Sequence, residues 1–346
     1  MPRFPYETDH RVGEKNVRVL GLDVHNPVFF TSAFLILLFV GGTLFAPDIA
    51  AAVLGKARIW TLEHAHWFFS ASILIVFLVC VYFALSPLGR IRLGGPTASP
   101  AFGTGSWLAM LFSAGVGIGL MFWGAAEPLA YYVGWAGTPL DVTPETAEAR
   151  RLAMSATIFH WGFHPWAVYA LIGLALAFFT YNKGLPLSIR SCFYPLLGER
   201  VWGWPGHVID TFAVIATIFG LATSLGFGAI QAASGLNYLL GIDAGMNTQI
   251  AVIASVTAIA TISVVRGLDK GVKLLSNINI ILAIVFLLFV LLTGPTWLIL
   301  RSIPENAVNY LGNMLPLSNW YNREDTDWYQ SWTIFYWAWW ISWSPF

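Results

Sequence analysis

The sequence predicts an all-α polytopic membrane protein, and three observations predict it. Charged residues make up only 10% of the chain and hydrophobic residues 57%, where soluble domains carry about 25% and 45–50%. The mean hydropathy is +0.67, an excess that a soluble fold of this length could not hide. The apolar residues also gather into runs of about 20 residues, the length that crosses a bilayer, and the polar stretches between them are too short for a separate soluble domain.

Residues 1–27 are polar and lack the apolar stretch of a cleavable leader, so they read as a segment on one side of the membrane. Apolar runs follow at 28–46, 67–86, 105–134, 151–180, 208–236, 249–265 and 274–300. The third is long and rich in glycine, which predicts a tilted or interrupted helix. The stretch 301–327 is partly amphipathic, with Val308, Leu311, Met314 and Leu315 beside Glu324, Asp325 and Asp327, and reads as an external surface helix and loop. An eighth run starts near 328 and reaches Phe346 without a stop, which predicts a fold that continues past this point.

Lys and Arg set the orientation, because cytoplasmic loops carry more of them. With the N-terminus inside, the inner segments hold twelve, from Arg3 to Lys273, and the outer ones six, including Lys56, Arg58, Arg150 and Arg151. The N-terminus is therefore expected in the cytoplasm, in a plasma membrane. The formal net charge is zero, which leaves no basic face for nucleic acid. The two cysteines, Cys80 and Cys192, make no disulfide framework.

Three groups stand out against the apolar background. The first is Gly115-Val116-Gly117-Ile118-Gly119. Glycines at alternate positions cannot line one helix face, and each weakens a helix by about 0.8–1 kcal/mol relative to alanine. An unwound segment with bare N–H and C=O groups is one reading, allowed at membrane depth where it lines a cavity. Close helix packing by small residues is the other.

The second and third groups are aromatic: residues 159–169, with His160, Trp161, His164, Trp166 and Tyr169, and residues 335–343, with Trp337, Trp339, Trp340 and Trp343. At about 100° per residue, Trp161, Trp166 and Tyr169 project at roughly 0°, 140° and 80° on one helix. Trp339, Trp340 and Trp343 fall at roughly 0°, 100° and 40°. Indole rings on two spans suit a methylated, weakly hydrated cation, each ring contributing about 0.5–1 kcal/mol and about 2 when desolvated. Aromatic residues also gather at membrane interfaces, and Trp60, Trp67, Trp107, Trp297 and Trp328 near span ends read as such a belt. The helix-face clusters favour a ligand box.

A rival class is a membrane metalloenzyme, since His160 and His164 are spaced i, i+4, a spacing that binds zinc on helices. No Glu adjoins either histidine, and hydrogen-bonded packing is the stronger reading. Glu127, before Pro128, is an acid at span depth and a functional candidate; its structural reading is a carboxylate capping nearby backbone. The run 266–273 reads as a plain turn.

The phrases FSAGVGIGLMFWGAAEPL (112–129), FHWGFHPWAVYALIGLALAFF (159–179) and WTIFYWAWWISWSPF (332–346) resemble the betaine/choline/carnitine transporter family, and the likeness runs from about residue 26 onward. The resemblance implies two peripheral helices (28–100), then a five-helix repeat (101–300), with 328–346 opening a second, inverted repeat of the leucine-transporter type. That architecture is a standing example of inverted repeats with broken helices at a midplane site. It implies a substrate box of Trp161, Trp166, Tyr169, Trp339, Trp340 and Trp343, with Trp337 lining the path. It also implies substrate contacts at Gly115, Val116, Gly117 and Gly119, where a half-helix N-terminus meets a carboxylate.

Choline-specific relatives carry an aspartate where this chain has Gly119, so a zwitterion bringing its own carboxylate is the expected substrate. Glycine betaine leads, with proline betaine, ectoine, carnitine and choline behind. Sodium is the first coupling ion implied, at Thr217 and Phe346 and at Ser113 and Val116, with protons or exchange as alternatives; Leu221 stands where a second threonine would sit. No other cofactor is implied, a homotrimer in the bacterial inner membrane is, and a non-transporting remnant is the remaining alternative.

Overall fold

A computed structural model of the protein describes residues 6–115 and 117–345, apart from the side chains of Ala114, Ile118, Gly119 and Asp269. In chain order a hairpin of β1 (Asn16–Val19) and β2 (Leu22–His25) precedes α1 (Val28–Phe45) and α2 (Pro47–Leu85). Then come α3 (Thr104–Gly115), α4 (Ile118–Val133), α5 (Ala147–Trp161) and α6 (Phe163–Ala177). A short α7 (Tyr194–Leu197) leads to α8 (Trp204–Leu240), α9 (Met246–Val265), α10 (Lys273–Thr293) and α11 (Thr296–Ser318). A one-turn α12 (Thr326–Trp328) and a π-helical turn (Tyr329–Ile334) open α13 (Phe335–Trp343).

Six helical stretches among the described residues are long and apolar enough to cross a membrane: Val28–Phe45, Pro47–Leu85, Ala147–Asn182, Trp204–Leu240, Met246–Val265 and Lys270–Thr293. This is an all-α polytopic membrane protein. The described residues form two compact units, one within 1–98, 160–220 and 320–346, the other within 99–159 and 221–319.

In the first unit the hairpin turns at Leu20-Gly21, both with positive φ (51° and 81°), the two-residue geometry whose twist matches antiparallel strands. Proline at the start of α2 fits a position where its missing N–H costs nothing. At 1.5 Å per residue the 39 residues of α2 extend about 58 Å, well past a hydrocarbon core of about 30 Å. Its polar early turns, with Asp48, Lys56, Arg58 and Glu63, account for the surplus. The apolar end of α2 packs along α6, where the Cys80 thiol donates to the Ala167 carbonyl at 3.3 Å. Ahead of α12, Arg323 donates through Nε and Nη2 to both carboxylate oxygens of Asp325, at 2.8 and 2.6 Å. The pair is buried, its side chains 4% and 3% exposed, and the guanidinium lies 4.3 Å over the Tyr329 ring.

In the second unit α3 packs against α10. Asn277 Nδ2 donates to Ser106 Oγ at 3.4 Å and Asn279 Nδ2 to Ser113 Oγ at 3.2 Å. Helix α4 closes on Gly134 in the left-handed region, φ 77°, the usual glycine stop. The run expected as a plain turn between α9 and α10 is instead a π-helical turn, Leu268–Val272, that runs straight into α10. Glycine is needed within it, because a Cβ on Gly271 would lie 1.9 Å from the Ser263 carbonyl oxygen.

Candidate functional site

The fourth apolar run is two helices. Gly162, at φ −99° and ψ −130°, ends α5 at Trp161 and lets α6 begin at Phe163, with Pro165 in the first turn, where a proline is tolerated. Trp161 therefore sits on a different helix from Trp166 and Tyr169, and the single-helix projection of the three does not hold. The break also has a product: the last carbonyls of a helix have no intrahelical partner, and the His160 carbonyl accepts the Trp340 indole N–H at 2.9 Å.

That bond fixes Trp340 inside an aromatic cluster of the first unit. The Trp161 ring meets Trp340 edge-on, with centroids 5.1 Å apart and planes at 82°, and lies 5.5 Å from Tyr336. Tyr169 stands 6.0 Å from Trp340, 5.6 Å from Trp343 and 5.7 Å from Trp166. Trp339 stacks on Trp340 at 5.4 Å, and Trp340 lies 6.1 Å from Trp343. Helix α8 approaches closely at Gly220, where a Cβ would lie 3.1 Å from the Trp343 backbone. Tyr336 falls within the aromatic group 335–343, while Gly220 was not singled out.

Trp337 lies against the histidines: it meets His160 edge-on and stacks on His164, each at 5.8 Å. His160 Nε2 pairs with the Thr333 hydroxyl at 3.0 Å, and its ring stacks between Trp328 and Tyr336. His164 stacks on Phe77 at 4.7 Å. Among the described residues no group of three or more His, Cys, Asp or Glu could hold a metal. Of the five tryptophans read as a belt, Trp60, Trp67, Trp107 and Trp297 are exposed, but Trp328 is fully buried under Arg323 and beside His160.

The glycine segment belongs to the second unit. Helix α3 ends at Gly115, Gly117 is extended (φ −116°, ψ −169°), and α4 starts at Ile118, so the third run is interrupted as expected. Among the described residues a Cβ on Gly117 would meet nothing within 4 Å. The first N–H groups of a helix have no intrahelical partners, and those of α4 begin here. Val116 lies outside the described residues, and the backbone of Gly119 is in the first turn of α4. Ser113 Oγ accepts from Asn279. Thr217 is half-buried in α8, and Phe346 lies outside the described residues. Glu127 is fully buried and accepts the hydroxyl of Tyr131, one turn on.

Comparison with known proteins adds a further finding. The model of the betaine/carnitine/choline family transporters matches residues 27–346. Glycine betaine transporter 1 of Vibrio parahaemolyticus is 53% identical over 98% of this chain and 65% of its own length. A glycine betaine/proline/choline/ectoine transporter of the same organism is 52% identical, over 98% of this chain and 60% of its own length. The high-affinity choline transport protein of Escherichia coli is 43% identical over 94% of this chain and 48% of its own length. The chain thus spans 60% to 65% of the length of the first two of these relatives.

Proposed function

The chain belongs to the betaine/carnitine/choline transporter family, and from this we propose that it serves secondary active transport of a betaine-like quaternary-ammonium zwitterion, glycine betaine first. The observation that carries the substrate class is the cluster of Trp161, Tyr169, Trp340 and Trp343, held in orientation by the bond from Trp340 to the His160 carbonyl. Such rings offer π-faces to a trimethylated nitrogen, and a desolvated contact of this kind contributes about 2 kcal/mol. Supporting the zwitterion are Gly119, with no side-chain carboxylate, and the N-terminus of α4, whose partial positive charge suits a carboxylate. The names of the first two relatives above also begin with glycine betaine.

The same reading takes α3 and α4 as the halves of a broken helix in the first of two inverted repeats. It takes sodium as the coupling ion, at Thr217 with Phe346 and at Ser113 with Val116, and a homotrimer in the bacterial inner membrane with the N-terminus in the cytoplasm. The uptake would serve osmoprotection. The test is uptake of labelled glycine betaine by cells that lack other betaine carriers. Accumulation that requires external sodium, with weaker competition by choline, is expected. No accumulation would remove the substrate, and accumulation indifferent to sodium would remove the ion.

A further inference from the structure

Beyond the membrane-spanning helices, the N-terminal segment is docked onto the connection between α6 and α8, within the first unit. Two kinds of bond hold it. Near its start the bonds are indifferent to pH in the physiological range. The Tyr6 N–H donates to the Lys183 carbonyl at 2.9 Å, the Tyr194 hydroxyl to the Glu7 carbonyl at 3.0 Å, and the Trp202 indole N–H to the Thr8 hydroxyl at 2.9 Å. The single Tyr194 hydroxyl proton is shared between the Glu7 carbonyl and the Glu199 carboxylate, and the carboxylate pushes the ionisation of Tyr194 up to about 12.

The end of β2 is held differently, by a buried arginine. Arg190, 5% exposed, pairs through Nε and its backbone N–H with Asp210 near the start of α8. Its remaining nitrogens face two histidines: Nη2 lies 3.0 Å from His25 Nε2, at the end of β2, and Nη1 lies 3.3 Å from His207 Nδ1. A guanidinium only donates, and it keeps its proton throughout the accessible range. Both histidines must therefore turn an unprotonated nitrogen toward Arg190. A protonated imidazole is a donor at both nitrogens, so protonation sets N–H against N–H and cation against cation.

We propose that this cluster is an acid-released latch: protonation of His25 and His207 expels them from Arg190 and frees the hairpin Asn16–His25, while the segment before it stays anchored. The surrounding charges point the same way. Lys15, whose ammonium donates to the Trp202 carbonyl at 2.5 Å, and Arg190 both oppose a charged His25, as does His10. Among the described residues Asp210 is the facing group that favours the charge, and both its oxygens are already engaged by Arg190. Asp23, in β2, stands opposite Arg18 across the hairpin. His10 Nδ1 lies 2.6 Å from Glu14 Oε1, a local pair within the segment before the hairpin.

The direction with pH follows. Burial and Arg190 hold His25 below its ordinary value, so docking contributes fully above the free histidine value of about 6.5 and is lost as pH falls below it. A two-stranded hairpin is marginal by itself, so release should open its amides to exchange. The test is hydrogen–deuterium exchange of the protein in lipid nanodiscs at about pH 7.5 and about pH 5, corrected for intrinsic exchange. Protection of residues 16–25 is expected to fall by about tenfold or more, the change that one linked proton gives per pH unit below the free histidine value, while residues 6–8 keep theirs.

In the double variant His25→Gln with His207→Gln, each amide oxygen still accepts from Arg190 and has no proton to gain. Its protection should not change with pH. Should both glutamines undock the hairpin at neutral pH, His207→Gln alone decides, with a smaller acid response expected than in the unaltered protein. Unchanged protection in the unaltered protein, an equal fall in the double variant, or a single variant that responds in full would overturn the latch.

Discussion

The indole N–H of Trp340 reaches a backbone carbonyl on another helix, that of His160, at 2.9 Å. The acceptor exists because Gly162 ends α5 two residues later. One ring of the proposed box is thus oriented by a helix break in its neighbour, and two variants separate the ring from the bond. Trp340→Ala removes a desolvated π-face of about 2 kcal/mol and is expected to weaken glycine betaine binding roughly thirtyfold, at about 1.4 kcal/mol per factor of ten. Trp340→Phe keeps a face and should lose less. Trp297→Ala, at an exposed position, is the control and should leave affinity unchanged. Equal small losses at Trp340 and Trp297, with uptake corrected for protein in the membrane, would remove the box.

Selectivity should turn on Gly119. An aspartate there adds a carboxylate at the start of α4, which repels the carboxylate of a betaine and attracts a bare cation. For Gly119→Asp, betaine uptake is expected to fall and competition by choline to rise. An unchanged ratio of the two would place the glycine segment away from the substrate.

Gly220 is a packing requirement. A methyl group there would meet the Trp343 backbone and Ser342 Oγ at 3.1 Å, and backbone cannot turn aside as a side-chain end can. Overpacking of this kind costs typically about 1–3 kcal/mol. Gly220→Ala should lower the unfolding temperature of the purified protein, and Gly220→Leu should lower it further. Wild-type stability in Gly220→Leu would mean that α8 and α13 do not approach as described.

Arg323 and Asp325 should behave as a unit. Removing one partner of a buried pair strands the other and costs about 3–5 kcal/mol. Arg323→Met and Asp325→Leu are each expected to destabilise strongly, and the double variant less than the sum of the two. Additive losses in thermal unfolding would show that the two side chains act separately.

Much of this was legible in the chain, for definite reasons. Glycine at alternate positions is incompatible with a helix face, so the break at Gly115–Ile118 could be read before it was seen. The rings of α13 fell on one face by spacing alone. The break at Gly162 was hidden, because one glycine inside a long apolar run looks like any membrane glycine, and the projection therefore joined Trp161 to Trp166 and Tyr169. The partner of Trp340 was invisible, since a backbone carbonyl has no residue signature. The buried Trp328 was misread because position near a span end says nothing about a cation stacked above the ring. The hairpin at 16–25 was missed, although Leu20-Gly21 is a usable turn signal, since its strands are too short to show alternation.

The burial of Arg323 with Asp325 has one more consequence, for the medium in which the protein works. Between 0.1 M and 1 M salt the range of an exposed charge shrinks from about 10 Å to about 3 Å, and surface ion pairs fade with it. Counter-ions cannot enter between two side chains that are 4% and 3% exposed. The approach to α12 and α13 is thus tied down by an electrostatic bond that concentrated brine does not loosen. On the osmoprotective role proposed above, the protein would meet brine of that kind at the moment its cargo is needed.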